Sequence, residues 1–82
     1  MIKAAALHFD IDTSKLRGRI VEKCRNLQIF ADCMGINSAT LSKKLAGRTS
    51  WDQQEILRAV ELLDLEVSDI PAYFFTEKVI EI

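Results

Sequence analysis

The stretch Leu27 to Gly47, LQIFADCMGINSATLSKKLAG, restricts the fold of this chain more than any other. Leu27, Phe30, Ala31 and Met34 recur at steps of three and four, which puts them on one stripe of a helix. Gly35 follows at once. Glycine takes a left-handed backbone without steric cost, so it predicts the end of that helix, with Ile36 folding back as the apolar contact that often accompanies such a stop. Asn37 or Ser38 then caps a further helix whose inward residues are Leu41 and Leu45, until Gly47 ends it. Two short helices joined by three or four residues have to pack on each other, and the small side chain of Ala31 suits a close crossing.

The rest of the chain supplies the helices that such a pair needs around it. Thr13 and Ser14 are good N-cap residues, and Leu16, Ile20 and Cys24 recur at steps of four, so residues 15–23 are predicted to form a first helix with a basic outer face. Asn26 caps the second. Ser50-Trp51-Asp52-Gln53 fits a capping box led by Ser50 and Gln53, with Trp51 as an apolar clamp. The fourth helix then turns Ile56, Val60 and Leu63 inward and leaves Glu55 and Arg58 outside. Leu65 and Val67 belong to a short link. Ser68-Asp69-Ile70-Pro71 opens a fifth helix, because proline lacks only an amide that a first turn leaves unpaired. Tyr73, Phe74 and Phe75 are expected to close the core.

At the ends the periodicity changes. Leu7, Phe9 and Ile11 alternate with His8, Asp10 and Asp12, and Lys78-Val79-Ile80-Glu81-Ile82 is rich in β-branched residues. This pattern admits a two-stranded ribbon, within one chain or across a dimer, and equally admits frayed termini. The expected organisation is an arm or strand over residues 1–12, a compact all-α domain of five helices over residues 13–75, and a tail or strand over residues 76–82.

Composition excludes several classes of function. Eighty-two residues with one histidine provide no nucleophile paired with a base, no phosphate loop and no buried carboxylate pair, so an enzyme with a small-molecule substrate is not expected. Cys24 and Cys33 lack a Cys-x-x-Cys spacing and lie far in sequence from His8, which argues against a metal site or any cofactor. Both cysteines fall at positions expected to be buried, as free thiols in a reducing compartment. The first twelve residues carry neither a secretory signal nor a membrane span, so a cytoplasmic protein is expected.

The net charge of -1 conceals a strong asymmetry. Residues 13–50 hold eight cations (Lys15, Arg17, Arg19, Lys23, Arg25, Lys43, Lys44, Arg48) against Glu22 and Asp32, a charge of +6. Residues 51–82 hold Arg58 and Lys78 against eight carboxylates, a charge of -6. The basic portion contains the two-helix stretch and has the footprint of an anion-binding face.

With these residues in view, LQIFADCMGINSATLSKKLAG resembles the helix-turn-helix of the phage Cro and repressor family. SKLRGRIVEKC before it and DIPAYFF after it resemble the small Cro-like regulators of prophages. Where that family often has a threonine before the glutamine of the second helix, this chain has Leu27 before Gln28, so the cap falls to Asn26. The resemblance covers residues 14–75 and implies a five-helix, lambda-repressor-like domain, a double-stranded DNA operator as ligand and a homodimer.

It also implies roles for individual residues. In such a domain the second helix of the motif lies in the major groove with its N-terminal residues at the base edges. Ser38, Ala39, Thr40 and Lys43 are then the expected base readers, Lys43 through a guanine edge. Gln28, Asn37, Lys44, Arg48, Thr49 and Arg17 are expected at phosphates. Phe74, Phe75, Val79 and Ile80 are expected at a dimer contact, away from the DNA. Two other readings fit the same residues: an antitoxin-type DNA-binding regulator, and a protein-interaction module that keeps the helical fold but engages its partner through the acidic face.

Overall fold

The computed structural model describes residues 11–77 as an all-α arrangement of five helices. They are α1 (Ser14–Cys24), α2 (Leu27–Met34), α3 (Ser38–Leu45), α4 (Gln53–Leu62) and α5 (Ile70–Phe74), with one 3-10 turn at Val67–Asp69 before α5. Their inward stripes meet in one core built from Leu16 and Ile20 of α1, Phe30, Ala31 and Met34 of α2, and Leu41 and Leu45 of α3. Ala59 and Leu63 close it from α4 and Phe74 from α5. Ala31 is completely buried, as a close crossing of α2 on its neighbours requires.

The turn between α2 and α3 follows the glycine argument. Gly35 has φ +77° and ψ +25°, and the Ile36 amide donates to the Ala31 carbonyl at 3.0 Å, the long return bond of a left-handed helix stop. Gly47 ends α3 the same way at φ +79°, with the Arg48 amide donating to Lys43 at 2.9 Å. Asn26 and Asn37 cap α2 and α3, accepting the amides of Ile29 at 2.9 Å and Thr40 at 2.7 Å. Of the two candidates for the α3 cap, Asn37 is therefore the one used.

Orphan carbonyls at helix C-termini need donors, and three of these helix ends receive a side-chain donor from elsewhere in the fold. The Thr13 hydroxyl, buried, donates to the Leu45 carbonyl at the end of α3 at 2.7 Å. Arg58 of α4 donates from Nη1 to the Met34 carbonyl at the end of α2 at 3.3 Å. Arg19 of α1 donates to the carbonyls of Leu63 and Asp64 after α4, at 2.9 and 3.0 Å. A cationic donor at a helix C-terminus is also favoured by the helix dipole. The helices are thus tied end to flank as well as through the core.

Several expectations need correction. Thr13 does not cap α1, because its hydroxyl is committed to Leu45; the Asp12 carboxylate accepts the Ser14 amide at 2.9 Å in its place. The capping box of α4 lies two residues later than expected: Asp52 accepts the Glu55 amide at 2.8 Å and Glu55 accepts the Asp52 amide at 2.9 Å. A carboxylate is the stronger acceptor at a helix N-terminus, and it displaces the Ser50 box. Glu55 is consequently half-buried, not outside. Cys24 is half-buried and Cys33 exposed, since Cys33 lies one position off the stripe formed by Phe30, Ala31 and Met34. Tyr73 packs partly on the core and Phe74 enters it, but Phe75 points out, 59% exposed.

The segments flanking the helices meet in one antiparallel bridge, Ile11 with Glu77, beside a bond from the Asp12 amide to the Thr76 carbonyl at 2.8 Å. The rest of the expected ribbon, including Leu7, His8 and Phe9 and the residues Lys78 to Ile82, lies outside the described residues.

Candidate functional site

The outward face of α3 is held by its buried side. With Leu41 and Leu45 inward and Asn37 capping, Ala39, Ser42 and Lys43 are exposed, and Ser38 and Thr40 half-buried. The start of α3 is locked to α2: the Ser38 hydroxyl donates to Gln28 Oε1 at 2.9 Å, while Gln28 Nε2 donates to Asp32 at 2.9 Å. Four expected base readers, Ser38, Ala39, Thr40 and Lys43, therefore share the first turns of one surface helix. Lys43 and Arg48 border a shallow hollow with Ser42 and Ala46. Thr49, also exposed, follows Arg48.

The residues expected at phosphates divide. Arg17 is exposed on a separate open hollow between the start of α1 and the end of α3, its Nε 3.4 Å from the Thr13 hydroxyl. The Asn37 side-chain oxygen is spent on its cap. Lys44 turns largely away from solvent. Its Nζ donates to Glu55 Oε1 at 2.8 Å and to the Ser50 carbonyl at 2.9 Å, and lies 5.8 Å from the centroid of the Trp51 ring. With its side chain 10% exposed, Lys44 is a link between α3 and α4 and does not stand free at the surface as a phosphate contact is expected to.

The other cations of the basic portion are also partly committed. Arg19 pairs with Glu22 at 3.4 Å, Lys23 reaches Asp64 at 3.8 Å, and Lys15 lies 4.8 Å above the Tyr73 ring. Among the described residues, Arg17, Arg25, Lys43 and Arg48 have no acidic partner. The pairing of Lys23 with Asp64 and of Lys44 with Glu55 thus answers two of the six excess positive charges of residues 13–50.

The acidic portion presents a different surface. On α4, Gln54, Leu57 and Glu61 recur at three and four on the face opposite Ala59 and Leu63, all exposed. Asp64, Glu66 and Val67 follow, exposed as well. Leu57 and Val67 are 42% and 65% exposed, large apolar groups in the same acidic stretch of the chain. Glu61 and Glu66 have no cationic partner among the described residues. The dimer candidates are mixed: Phe74 is buried edge-on against Trp51 at 5.2 Å, Phe75 is exposed, and Val79 and Ile80 lie outside the described residues.

Among the described residues, Cys24 is the one titratable group with a clear shift. Burial pushes its thiol above the ordinary range, and the proximity of Cys33 adds to this. Among the described residues, no group of three or more His, Cys, Asp or Glu could hold a metal ion, and no helix is long and apolar enough to cross a membrane.

Residues 9–77 match the model of the family described as protein of unknown function (DUF739). The chain belongs to the DUF739 family. Among solved structures, this DUF739 chain is similar to the solution structure of the modulator of repression (MOR) of the temperate bacteriophage TP901-1 from Lactococcus lactis. The two are 45% identical with a TM-score of 0.73, over 87% of this chain and 96% of that one. No curated protein sequence matches.

Sequence reasoning missed the Lys44–Glu55 link, the Thr13–Leu45 tie and the exposed Leu57 and Val67 of the DUF739 chain. Only the last had a local signal, an apolar residue off the inward stripe of its helix.

Proposed function

We propose that the chain is a non-enzymatic phage regulatory protein of the host cytoplasm that modulates repression by contacting a protein partner through its acidic face. The observation that carries this reading is the 45% identity, over nearly the whole of that chain, with a phage modulator of repression. A modulator of repression needs a repressor to act on, and a repressor must present a cationic surface to operator phosphates. The surface of α4 and the following loop, on which Glu61, Asp64 and Glu66 are exposed, complements such a cationic surface in charge, and the exposed Leu57 and Val67 of the same stretch add apolar area. Of the cations of residues 13–50, by contrast, Arg19 and Lys44 are committed to contacts within the fold.

A second reading is favoured by one specific observation, the Gln28–Ser38 bond that fixes the start of α3. In this reading the chain is a Cro-like helix-turn-helix regulator, or an antitoxin-type one. Ser38, Ala39, Thr40 and Lys43 read operator bases, Arg17, Gln28, Arg48 and Thr49 approach phosphates, and a homodimer formed near Phe75 spans two half-sites.

One pair of measurements separates the readings. The chain is titrated into the labelled DNA-binding domain of the repressor from the same genome at several salt concentrations, and it is also used to select sequences from a random duplex pool. The expected result is saturable binding to the repressor domain that weakens with salt, with no inverted repeat enriched by the chain alone. An enriched inverted repeat without repressor binding would reverse the order of the two readings.

A further inference from the structure

A cavity of about 200 Å³ opens beside the start of α4, and its walls include Ile11, Thr13, Trp51, Phe74 and Phe75. Trp51 and Phe74 stand edge to face at 85° with ring centroids 5.2 Å apart, and Phe75 is 59% exposed. The one charged residue of the wall, Lys44, is already paired with Glu55. The walls therefore suit a neutral, apolar occupant. The volume suits a single ring, since a dry cavity of about 150 Å³ admits one benzene.

Two segments of the chain meet at this opening, and their pairing has a definite register. Ile11 is bridged to Glu77 in the antiparallel sense, and the Asp12 amide donates to the Thr76 carbonyl at 2.8 Å. The continuation of both segments lies outside the described residues. Carried onward, the same register sets Asp10 opposite Lys78 and Phe9 opposite Val79. Opposite charges then face each other on one side of the pair and apolar residues on the other, and cross-strand pairs of both kinds are favourable. Side chains alternate along a strand, so Phe9 falls on the face of Ile11, the residue that lines the cavity, about 7 Å further along. A two-stranded ribbon is marginal by itself and needs a surface to pack on.

We propose that the cavity is the docking site of the chain's own N-terminal arm, with the Phe9 ring as its occupant and residues 7–10 paired to residues 78–81 in the register of the Ile11–Glu77 bridge. The ring removes the apolar surface of Trp51, Phe74 and Phe75 from water. Because Phe9 is two residues from Ile11 on the cavity wall, the arm reaches the site at a high effective concentration, and no second molecule competes on equal terms.

Trp51 is the single tryptophan of the chain and lines the cavity, so it reports occupancy directly. In the full chain, a nuclear Overhauser contact between the Phe9 ring and the Trp51 indole is expected. In a mixture of isotope-labelled and unlabelled chains, that contact should be absent from the spectrum filtered for intermolecular contacts. Phe9→Ser should shift Trp51 emission to the red and increase its quenching by acrylamide, whereas Phe9→Leu should stay near the wild type. Asp10→Lys should also increase quenching, and Lys78→Asp added to it should reverse the increase. Absence of the Phe9–Trp51 contact in the wild-type chain would overturn the proposal, and this measurement stands alone if a variant fails to fold. A contact seen only between labelled and unlabelled chains would overturn it in favour of the arm of a second copy. Unchanged quenching in a folded Phe9→Ser would overturn it as well, and no reversal by Lys78→Asp would overturn the register.

Discussion

Lys44 Nζ lies 2.8 Å from Glu55 Oε1, and that same oxygen accepts the Asp52 amide at 2.9 Å. One carboxylate therefore closes the cap of α4 and holds the last turn of α3. Both side chains are well covered, at 10% and 21% exposure, so removing one partner leaves the other charge poorly solvated. Lys44→Met and Glu55→Gln should each destabilise the fold by about 2 kcal/mol. The double variant should cost less than the sum, with a coupling of about 1 kcal/mol. Urea unfolding of the four proteins of the cycle tests this; strict additivity would mean that the pair contributes nothing as a pair.

Gly35 and Ala31 set the geometry of the turn from opposite sides, one by backbone and one by size. At φ +77°, Gly35→Ala places an ordinary residue in the left-handed region and should cost about 1 kcal/mol. No atom crowds the site, so the cost is conformational and Gly35→Asn should recover part of it. Ala31→Leu inserts bulk at a fully buried crossing and should cost about 3 kcal/mol. Thermal unfolding ranks the three. A larger loss at Gly35 than at Ala31 would mean that the turn, not the crossing, dominates.

The two thiols should differ in reactivity. Burial, and then Cys33, raise the Cys24 pKa, so the thiolate of Cys24 forms only above the pH range ordinary for cysteine. Cys33 is exposed. Near pH 8, iodoacetamide should modify the exposed Cys33 first, and the Cys24 rate should go on climbing above the pH range ordinary for a thiol. The raised pKa leaves stability unchanged below the ordinary thiol range. Above it, ionisation in the unfolded chain erodes stability until the folded thiol also ionises. Mass spectrometry of peptides over a pH series checks the order, and equal rates at both sites would contradict it.

Non-specific DNA binding should separate the two lysines of α3. Lys43 is exposed and Lys44 committed, so at low salt Lys43→Ala should reduce the salt slope for a random duplex by about 1, whereas Lys44→Met should leave it unchanged. Anisotropy titrations at several salt concentrations give both slopes. Equal effects would place Lys44 beside Lys43 at the phosphates.

The helices were legible because their causes are local. Leu16 and Ile20, Phe30, Ala31 and Met34, and Leu41 and Leu45 recur at helical steps, and Gly35 and Gly47 stop helices by backbone freedom alone. What sequence could not supply is the use of charge. Lys44 and Glu55 are eleven positions apart across a loop, and Arg19 reaches carbonyls 44 and 45 residues away. A count of cations treats such residues as free surface charge. Two of the expected caps failed for a related reason: Thr13 and Ser50 suit a helix start, but Thr13 serves the end of α3 and the Asp52 carboxylate outcompetes Ser50. Phe75 follows Phe74 directly, and only the end of α5 decides which of the two rings is inward.

The most direct test of the central claim is the apparent affinity of the repressor from the same genome for its operator, measured by anisotropy with and without the chain. The account predicts that the wild-type chain shifts this affinity, that Glu61→Lys with Glu66→Lys abolishes the shift, and that Lys43→Ala preserves it. Loss of the shift in Lys43→Ala, with the doubly reversed acidic face still active, would contradict the account and place the function on α3.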